Sequence, residues 1–136
     1  MTKELSIEAK VDHLESVLAF VDGELEQIAC PMKQQMQIDI AVEELYVNIA
    51  HYAYAPETGT VTLRVETTET PASVAITFTD QGRPYNPLAK ADPDVALSAD
   101  ERQIGGLGIF MVKKSMDEMD YEYRDGRNIL TIRKRI

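Results

Sequence analysis

The hydrophobic period of this chain changes from one segment to the next, and this change sets the order of its elements. Apolar and polar residues alternate, as in half-buried strands, over residues 5–11, 60–66 and 73–80. Apolar residues recur at helical spacing over residues 14–28, 33–54 and 107–116. Two further strands, 120–125 and 128–134, flank a hairpin turn at Asp125-Gly126-Arg127.

The predicted order is therefore strand, two helices, two strands, a long loop, one helix and two strands. Strands that are segregated from helices in this way are typical of an α+β two-layer sandwich. The loop 81–103 is polar and contains Pro84, Pro87 and Pro93, and a loop of this length is usually a lid or a binding loop. With 136 residues, we expect one domain that spans 1–136.

Composition excludes several classes of protein. Fourteen Lys and Arg against 23 Asp and Glu give a net charge of −9, which argues against direct nucleic-acid binding. Cys30 is the only cysteine and there are two histidines, so an intramolecular disulfide and a histidine- or cysteine-rich metal site are excluded. No apolar run is long enough to span a membrane, and the charged N-terminus does not resemble a signal peptide. We expect a soluble, cytoplasmic protein.

The second helix carries a first candidate site at the margin of its apolar face. Glu43 points to the opposite side, whereas Glu44 lies one turn before Asn48 on that margin. Asn48 could give Mg²⁺ a neutral oxygen ligand, and Glu44 could orient or deprotonate a nucleophile. The alternative is a solvated helix edge with a carboxylate–amide hydrogen bond. We interpret His51 as an ordinary, partly buried histidine.

Asp80 is the second candidate. It is in phase with the apolar residues of its strand, so it faces the core at the strand end and needs a hydrogen-bond donor there. An adenine amino group would satisfy it, and Gly82 would allow the backbone to approach a flat ring. The alternative is an ordinary Asp-Gly turn that ends the strand.

The third candidate is the glycine cluster Gly105-Gly106-Leu107-Gly108, which opens the third helix. Backbone N–H groups and the helix dipole favour a phosphate at such a position. The alternative is a hinge at the end of the long loop, and both roles can coexist. Arg83 and Arg102 bracket the loop and could reach phosphates, although such arginines are usually solvated.

In order and spacing, these three candidates resemble the motifs of the GHKL (Bergerat-fold) ATPases. Glu44-Leu45-Tyr46-Val47-Asn48 is similar to their asparagine box, Asp80-Gln81-Gly82 to their first glycine box, and Gly105-Gly106-Leu107-Gly108 to their second. The Ala53-Tyr54 pair and the sequence GGLGIFMVKK resemble the anti-sigma-factor serine/threonine kinases in particular. Tyr52 stands where a histidine is common in that subgroup, and Pro84 replaces the second glycine of the first box.

The resemblance implies a mixed, mostly antiparallel sheet with three helices on one face. It implies ATP and Mg²⁺ as cofactors, with Asn48 as the Mg²⁺ ligand and Glu44 as the catalytic carboxylate. It implies Asp80 as the adenine anchor, Gly82 beside the base, and the second glycine box near the phosphates. A sigma factor and a STAS-domain antagonist are the implied partners, and a homodimer is compatible with it.

Two other functions stay open at this point. The chain could be a regulatory module that binds nucleotide without transferring phosphate. It could also be a structural interaction domain that binds no nucleotide.

Overall fold

The computed structural model of the chain describes residues 1–89 and 106–136. Five strands form one sheet: β1 (Thr2–Glu8), β2 (Thr60–Glu69), β3 (Ala72–Asp80), β4 (Glu118–Arg124) and β5 (Arg127–Arg135). The helices are α1 (Leu14–Gln27), α2 (Met32–Tyr52) and α3 (Gly106–Ser115), with short 3₁₀ turns at Val11–His13 and Pro87–Ala89. The α+β two-layer prediction is confirmed.

The order of strands in the sheet is β1-β2-β3-β5-β4, and all four pairings are antiparallel. The resemblance implied a mixed sheet, but the described strands pair in antiparallel fashion throughout. The reason is topological. Two helices separate β1 from β2 along the chain and these two strands run in opposite directions, whereas β3 and β4, which run parallel, are kept apart by β5.

One face of the sheet carries the core. Alternate residues of β2 and β3 are buried, as their sequence period predicted, and they join the apolar faces of the three helices in one cluster. The largest fully buried side chains include Tyr46, Phe78, Leu25, Ile38 and Leu45. The opposite face is polar, with hydrogen-bonded hydroxyl pairs such as Thr77 and Thr131.

The first strand ends earlier than predicted. We expected it to continue to Val11, but it ends at Glu8 and Val11 begins a 3₁₀ turn. Beyond Glu8 the backbone turns, with the N–H of His13 bonded to the carbonyl oxygen of Lys10, and the hydroxyl of Tyr46 contacts the backbone of Glu8 and Lys10.

The central strand β3 positions the site. Asp80, its last residue, pairs with Val61 of β2 on one side and with Asn128 of β5 on the other. The end of β3 is thus held from both sides, and the carboxylate of Asp80 lies under α2. No helix in the described part of the chain is both long and apolar enough to cross a membrane.

Candidate nucleotide site

On α2, the two adjacent glutamates lie in different environments, as predicted. Glu43 is exposed, whereas Glu44 is partly buried. The Asn48 side-chain amide donates a hydrogen bond of 3.5 Å to Oε1 of Glu44, which is the long limit for such a bond. Burial raises the pKa of Glu44, the Asn48 hydrogen bond opposes this effect, and the charge of Glu43 adds a smaller increase. Glu44 is therefore a stronger base than an exposed glutamate.

Gly108 brings the start of α3 against this carboxylate. A Cβ atom placed on Gly108 would lie 2.6 Å from Oε2 of Glu44 and closer still to its carboxyl carbon. Only a residue without a side chain can occupy this position while Glu44 keeps its place. The second glycine box and the asparagine box are therefore in direct contact.

Asp80 is only 4% exposed, and the two hydrogen bonds that its carboxylate makes to described residues involve the same oxygen. Oδ1 accepts from the backbone N–H of Gly82 at 2.8 Å and from Nδ2 of Asn128 at 2.9 Å. Within the described residues, no donor is assigned to Oδ2. An ionised carboxylate accepts at both oxygens, so Oδ2 can accept from a ligand.

Asn128 is a site residue that we did not predict. It is 6% exposed, and its Nδ2 also donates to the carbonyl oxygen of Arg83 at 2.7 Å. Its Oδ1 accepts from the backbone N–H of Tyr85 at 3.1 Å and from the hydroxyl of Tyr121. The alternation of the strand could have indicated it. Asn128 shares the inward face of β5 with Leu130 and Ile132, and a polar residue on a buried face needs hydrogen-bond partners there.

Gly82 lies against the end of α2, and this explains its lack of a side chain. A Cβ atom there would lie 2.6 Å from the carbonyl carbon of Ala53 and 2.7 Å from its Cβ. The next residue, Arg83, donates its backbone N–H to the carbonyl oxygen of Ala53 at 2.9 Å. We predicted Gly82 for a close approach to a ring; the described contact is with α2.

One pocket joins the two predicted halves of the site. Asn48 and Asp80 both line it, together with Asn128 and mostly apolar neighbours: Leu45, Ile49, Tyr52, Ala53, Arg83, Tyr85, Pro87, Tyr121 and Leu130. Such a pocket, apolar with a few convergent polar groups, is typical of small-molecule sites. The apolar walls suit a flat base, and Oδ2 of Asp80 suits an amino group on its edge.

The remaining predicted residues lie at or beyond this pocket. Gly106 and Leu107 begin α3 together with Gly108. Gly105 and Arg102 lie outside the described residues, as does most of the predicted loop. His51 is exposed rather than partly buried and does not line the pocket.

A divalent cation would have few protein ligands here. In the described ranges, no group of three or more His, Cys, Asp or Glu side chains could hold a metal ion. Asn48 with the phosphates of a nucleotide is a donor set that Mg²⁺ accepts, because this cation usually keeps waters and substrate oxygens in its shell. The residues present therefore suit a cation that arrives with the nucleotide.

One curated protein is similar to most of this chain. Serine/threonine-protein kinase BtrW of Bordetella bronchiseptica is 28% identical over 95 residues, which are 70% of this chain and 66% of that protein. The chain thus spans just under two thirds of that relative's length.

Solved structures share the fold at low sequence identity. The RsbU and RsbW domains of a Mycobacterium tuberculosis protein superpose with a TM-score of 0.69 at 15% identity, covering 99% of this chain and 32% of that one. A SiaB–SiaC complex from Pseudomonas aeruginosa gives 0.60 at 18% identity, with 97% and 89% covered. The histidine kinase domain of an Erythrobacter litoralis blue-light activated histidine kinase gives 0.53 at 15%, with 90% and 60% covered.

The family model described as the histidine kinase-like ATPase domain matches residues 7–134. This match includes all three motifs, the whole of β2, β3 and β4, nearly all of β5 and the last two residues of β1. The chain belongs to the histidine kinase-like ATPase domain family.

Proposed function

We propose that this protein is an ATP-dependent serine/threonine protein kinase of the anti-sigma-factor type. The observation that carries the proposal is the single pocket lined by both Asn48 and Asp80. In a kinase of this kind, one end of the pocket must recognise the base and the other must hold the phosphates. The similarity to Serine/threonine-protein kinase BtrW supports the same activity.

The base half is formed at the end of β3. Oδ2 of Asp80 accepts a hydrogen bond from the adenine amino group, while Oδ1 remains bonded to Gly82 and Asn128. Gly82 lies beside the base. A carbonyl group at the same edge, as in guanine, would meet a carboxylate that cannot donate.

The phosphate half is formed at the start of α3. The backbone N–H groups of Gly106, Leu107 and Gly108 lie in the first turn of α3, where negative charge is favoured. In this proposal Gly105, the preceding residue in the sequence, also serves the phosphates. Asn48 is the protein ligand for Mg²⁺ in this proposal. When bound, Mg²⁺ neutralises charge on the phosphate oxygens.

Glu44 is the catalytic residue of the proposal. The hydroxyl oxygen of the acceptor serine or threonine forms a bond to the γ-phosphorus, and the bond from that phosphorus to the β–γ bridging oxygen breaks. ADP leaves, and the proton of the hydroxyl passes to Glu44. Its raised pKa makes this carboxylate a better proton acceptor at neutral pH.

The proposed acceptor is a STAS-domain antagonist, and the proposed regulatory target is a sigma factor. Among proteins of the same fold, an RsbW domain occurs in one protein together with an RsbU domain, and SiaB has been solved in a complex with SiaC. We further propose that the protein acts as a homodimer in the cytoplasm.

Phosphotransfer from γ-labelled ATP to STAS-domain proteins of the same organism tests the proposal. We expect label on one of them and a loss of about 10²- to 10⁴-fold in rate for Glu44→Gln, the usual contribution of a general base. Glu43→Gln is the matched control, because this neighbour is exposed and its rate should stay within about twofold of the unaltered protein.

Transfer at the normal rate by Glu44→Gln would remove the catalytic role of Glu44. Nucleotide binding without label on any acceptor, but with capture of a sigma factor, would favour a nucleotide-responsive binding module instead. The absence of any nucleotide binding would favour a purely structural domain.

A further inference from the structure

The two halves of the proposed site lie on different elements, and something must fix their separation. Asn48 is on α2 and Asp80 is at the end of β3. We infer that Tyr54, just beyond α2, is a positioning residue that holds Asp80 in register with α2 and so contributes to the choice of adenine. This inference rests on the proposed nucleotide site.

The hydroxyl of Tyr54 joins two strands next to Asp80, outside the pocket that would hold the base. It accepts a hydrogen bond of 2.7 Å from the backbone N–H of Gln81, the residue after Asp80. It donates a hydrogen bond of 2.7 Å to the carbonyl oxygen of Thr60, the first residue of β2. One hydroxyl therefore uses its donor and an acceptor position to link the end of β3 to the start of β2.

The ring of Tyr54 occupies the space that a side chain at position 59 would need. A Cβ atom on Gly59 would lie 2.6 Å from Cδ1 of the ring and nearer still to its edge. The ring thus lies directly on the backbone of Gly59. Burial is the main cause that raises the pKa of the Tyr54 hydroxyl, so it stays protonated and keeps its donor.

Three consecutive residues after Asp80 each contact the segment at the end of α2. Gln81 bonds to the hydroxyl of Tyr54, Gly82 packs on Ala53, and Arg83 bonds to the carbonyl oxygen of Ala53. Asp80 is directly joined to this segment through its bond to the N–H of Gly82. The direction of Oδ2 therefore depends on where α2 ends.

Loss of the hydroxyl would release Gln81 and loosen the orientation of Asp80, while Asn48 and Glu44 on α2 would keep their places. The effect should fall on base recognition. Discrimination between adenine and guanine should decrease, because it depends on an acceptor held in one direction. A residue that served only the stability of the fold would leave this ratio unchanged.

Calorimetric titration of the full chain with Mg-ATP and Mg-GTP tests the inference. For Tyr54→Phe we expect ATP affinity to fall by about five- to tenfold, the scale of one hydrogen bond, with a change of less than about twofold for GTP. Gly59→Ala, which displaces the ring and leaves the hydroxyl present, should reduce the ATP-to-GTP ratio in the same way.

Tyr46→Phe is the matched control. This tyrosine is fully buried, and its hydroxyl contacts the backbone of Glu8 and Lys10 on β1 and the turn after it, not the segment after Asp80. Its removal should lower the melting temperature and leave the ATP-to-GTP ratio unchanged.

An unchanged ratio in both Tyr54→Phe and Gly59→Ala, with normal ATP binding by the unaltered protein, would overturn the role of Tyr54 alone. An equal fall of the ratio in Tyr46→Phe would overturn it as well, since the effect would then be general. Absence of ATP binding by the unaltered protein would overturn the proposed function, and this inference with it.

Discussion

Asp80 divides its two oxygens between the protein and the pocket. Oδ1 is bonded to Gly82 and Asn128, which fix the orientation of the group. Asp80→Asn can keep that acceptor, but it places an amide NH₂ opposite the amino group of adenine. We expect a loss of about 10- to 100-fold in ATP affinity by calorimetry, with little change in melting temperature. Unchanged affinity would exclude Asp80 as the base anchor.

Two glycines of the site are constrained by different neighbours, and alanine separates their roles. Gly82→Ala would collide with the backbone of Ala53, which cannot move away cheaply, so we expect about 1–3 kcal/mol of lost stability in urea unfolding.

Gly108→Ala would collide with the end of the Glu44 side chain, which can rotate away. We expect a small stability change there, but a large loss of phosphotransfer.

Gly23→Ala is the matched control for both glycines. Gly23 lies within α1, and a Cβ atom there meets nothing within 4 Å. Alanine should stabilise the protein by roughly 0.5–1 kcal/mol, since it lowers the entropy of the unfolded chain. If Gly82→Ala were as stable as Gly23→Ala, the contact with Ala53 would not hold in solution.

The face on which a site residue lies could be predicted from its type and spacing in the sequence. The residues that it contacts across the fold could not. The margin position of Glu44, the inward phase of Asp80 and the exposure of Glu43 follow from period alone. Asn128 was missed because its role depends on strand register. Only the pairing of β3 with β5 places it beside Asp80.

At the level of helices and strands, the hydrophobic period predicted the type of each element correctly. The errors were in the residues at which elements end. Helix α2 was predicted to reach Tyr54 but ends at Tyr52. The carbonyl of Ala53 and the hydroxyl of Tyr54 bond to the segment after β3. These tertiary bonds compete with the last helical turn, and no local pattern reveals them.

The contact between α1 and α2 contains a pair of carboxylates that was also not predicted. Asp22 and Asp39 each have an Oδ1 that is buried and has no hydrogen-bond partner among the described residues. Burial, then a hydrogen bond and charge repulsion from Asp22, raise the pKa of Asp39 to about 7. Cys30, in the connection, is near enough that both carboxylates also raise its pKa, after the effect of burial.

The raised pKa of Asp39 predicts how stability depends on pH. The folded state holds this proton more tightly than the unfolded chain, whose pKa is close to the ordinary value of 3.8. The stabilisation is complete below about pH 4 and is lost as the pH rises through about 7. We expect the melting temperature to fall between pH 5 and pH 8, and Asp39→Asn to remove most of this slope.

Thermal melts of Asp39→Asn and Asp12→Asn at pH 5 and at pH 8 test this pH dependence. Asp12 is an exposed aspartate in the 3₁₀ turn before α1, so its variant should keep the slope of the unaltered protein. An equal slope in Asp39→Asn would show that this pair does not govern the pH dependence.

For the molecule as a whole, a nucleotide that binds only the folded state must stabilise the fold. A ligand present at one hundred times its dissociation constant adds about 2.7 kcal/mol to the free energy of unfolding. We expect Mg-ATP to raise the melting temperature by several degrees, and Mg-GTP to raise it less. The absence of a shift at millimolar Mg-ATP would contradict a nucleotide site.

The convergence of the three motifs follows from topology rather than from any one segment. Asp80 lies at the end of the central strand β3, Asn48 of α2 lines the same pocket, and Gly108 of α3 lies against Glu44. The order of motifs in the sequence predicted a common site through resemblance. Their contacts depend on how the two layers pack, which the sequence period does not determine.

A crystal structure of the protein with Mg²⁺ and a non-hydrolysable ATP analogue would show whether the three motifs bind one nucleotide. We predict the adenine amino group within hydrogen-bond distance of Oδ2 of Asp80, Mg²⁺ on the side-chain oxygen of Asn48, and the γ-phosphate between Glu44 and the start of α3. A nucleotide bound elsewhere, or bound in this pocket without contacting Asp80 and Asn48, would contradict the account.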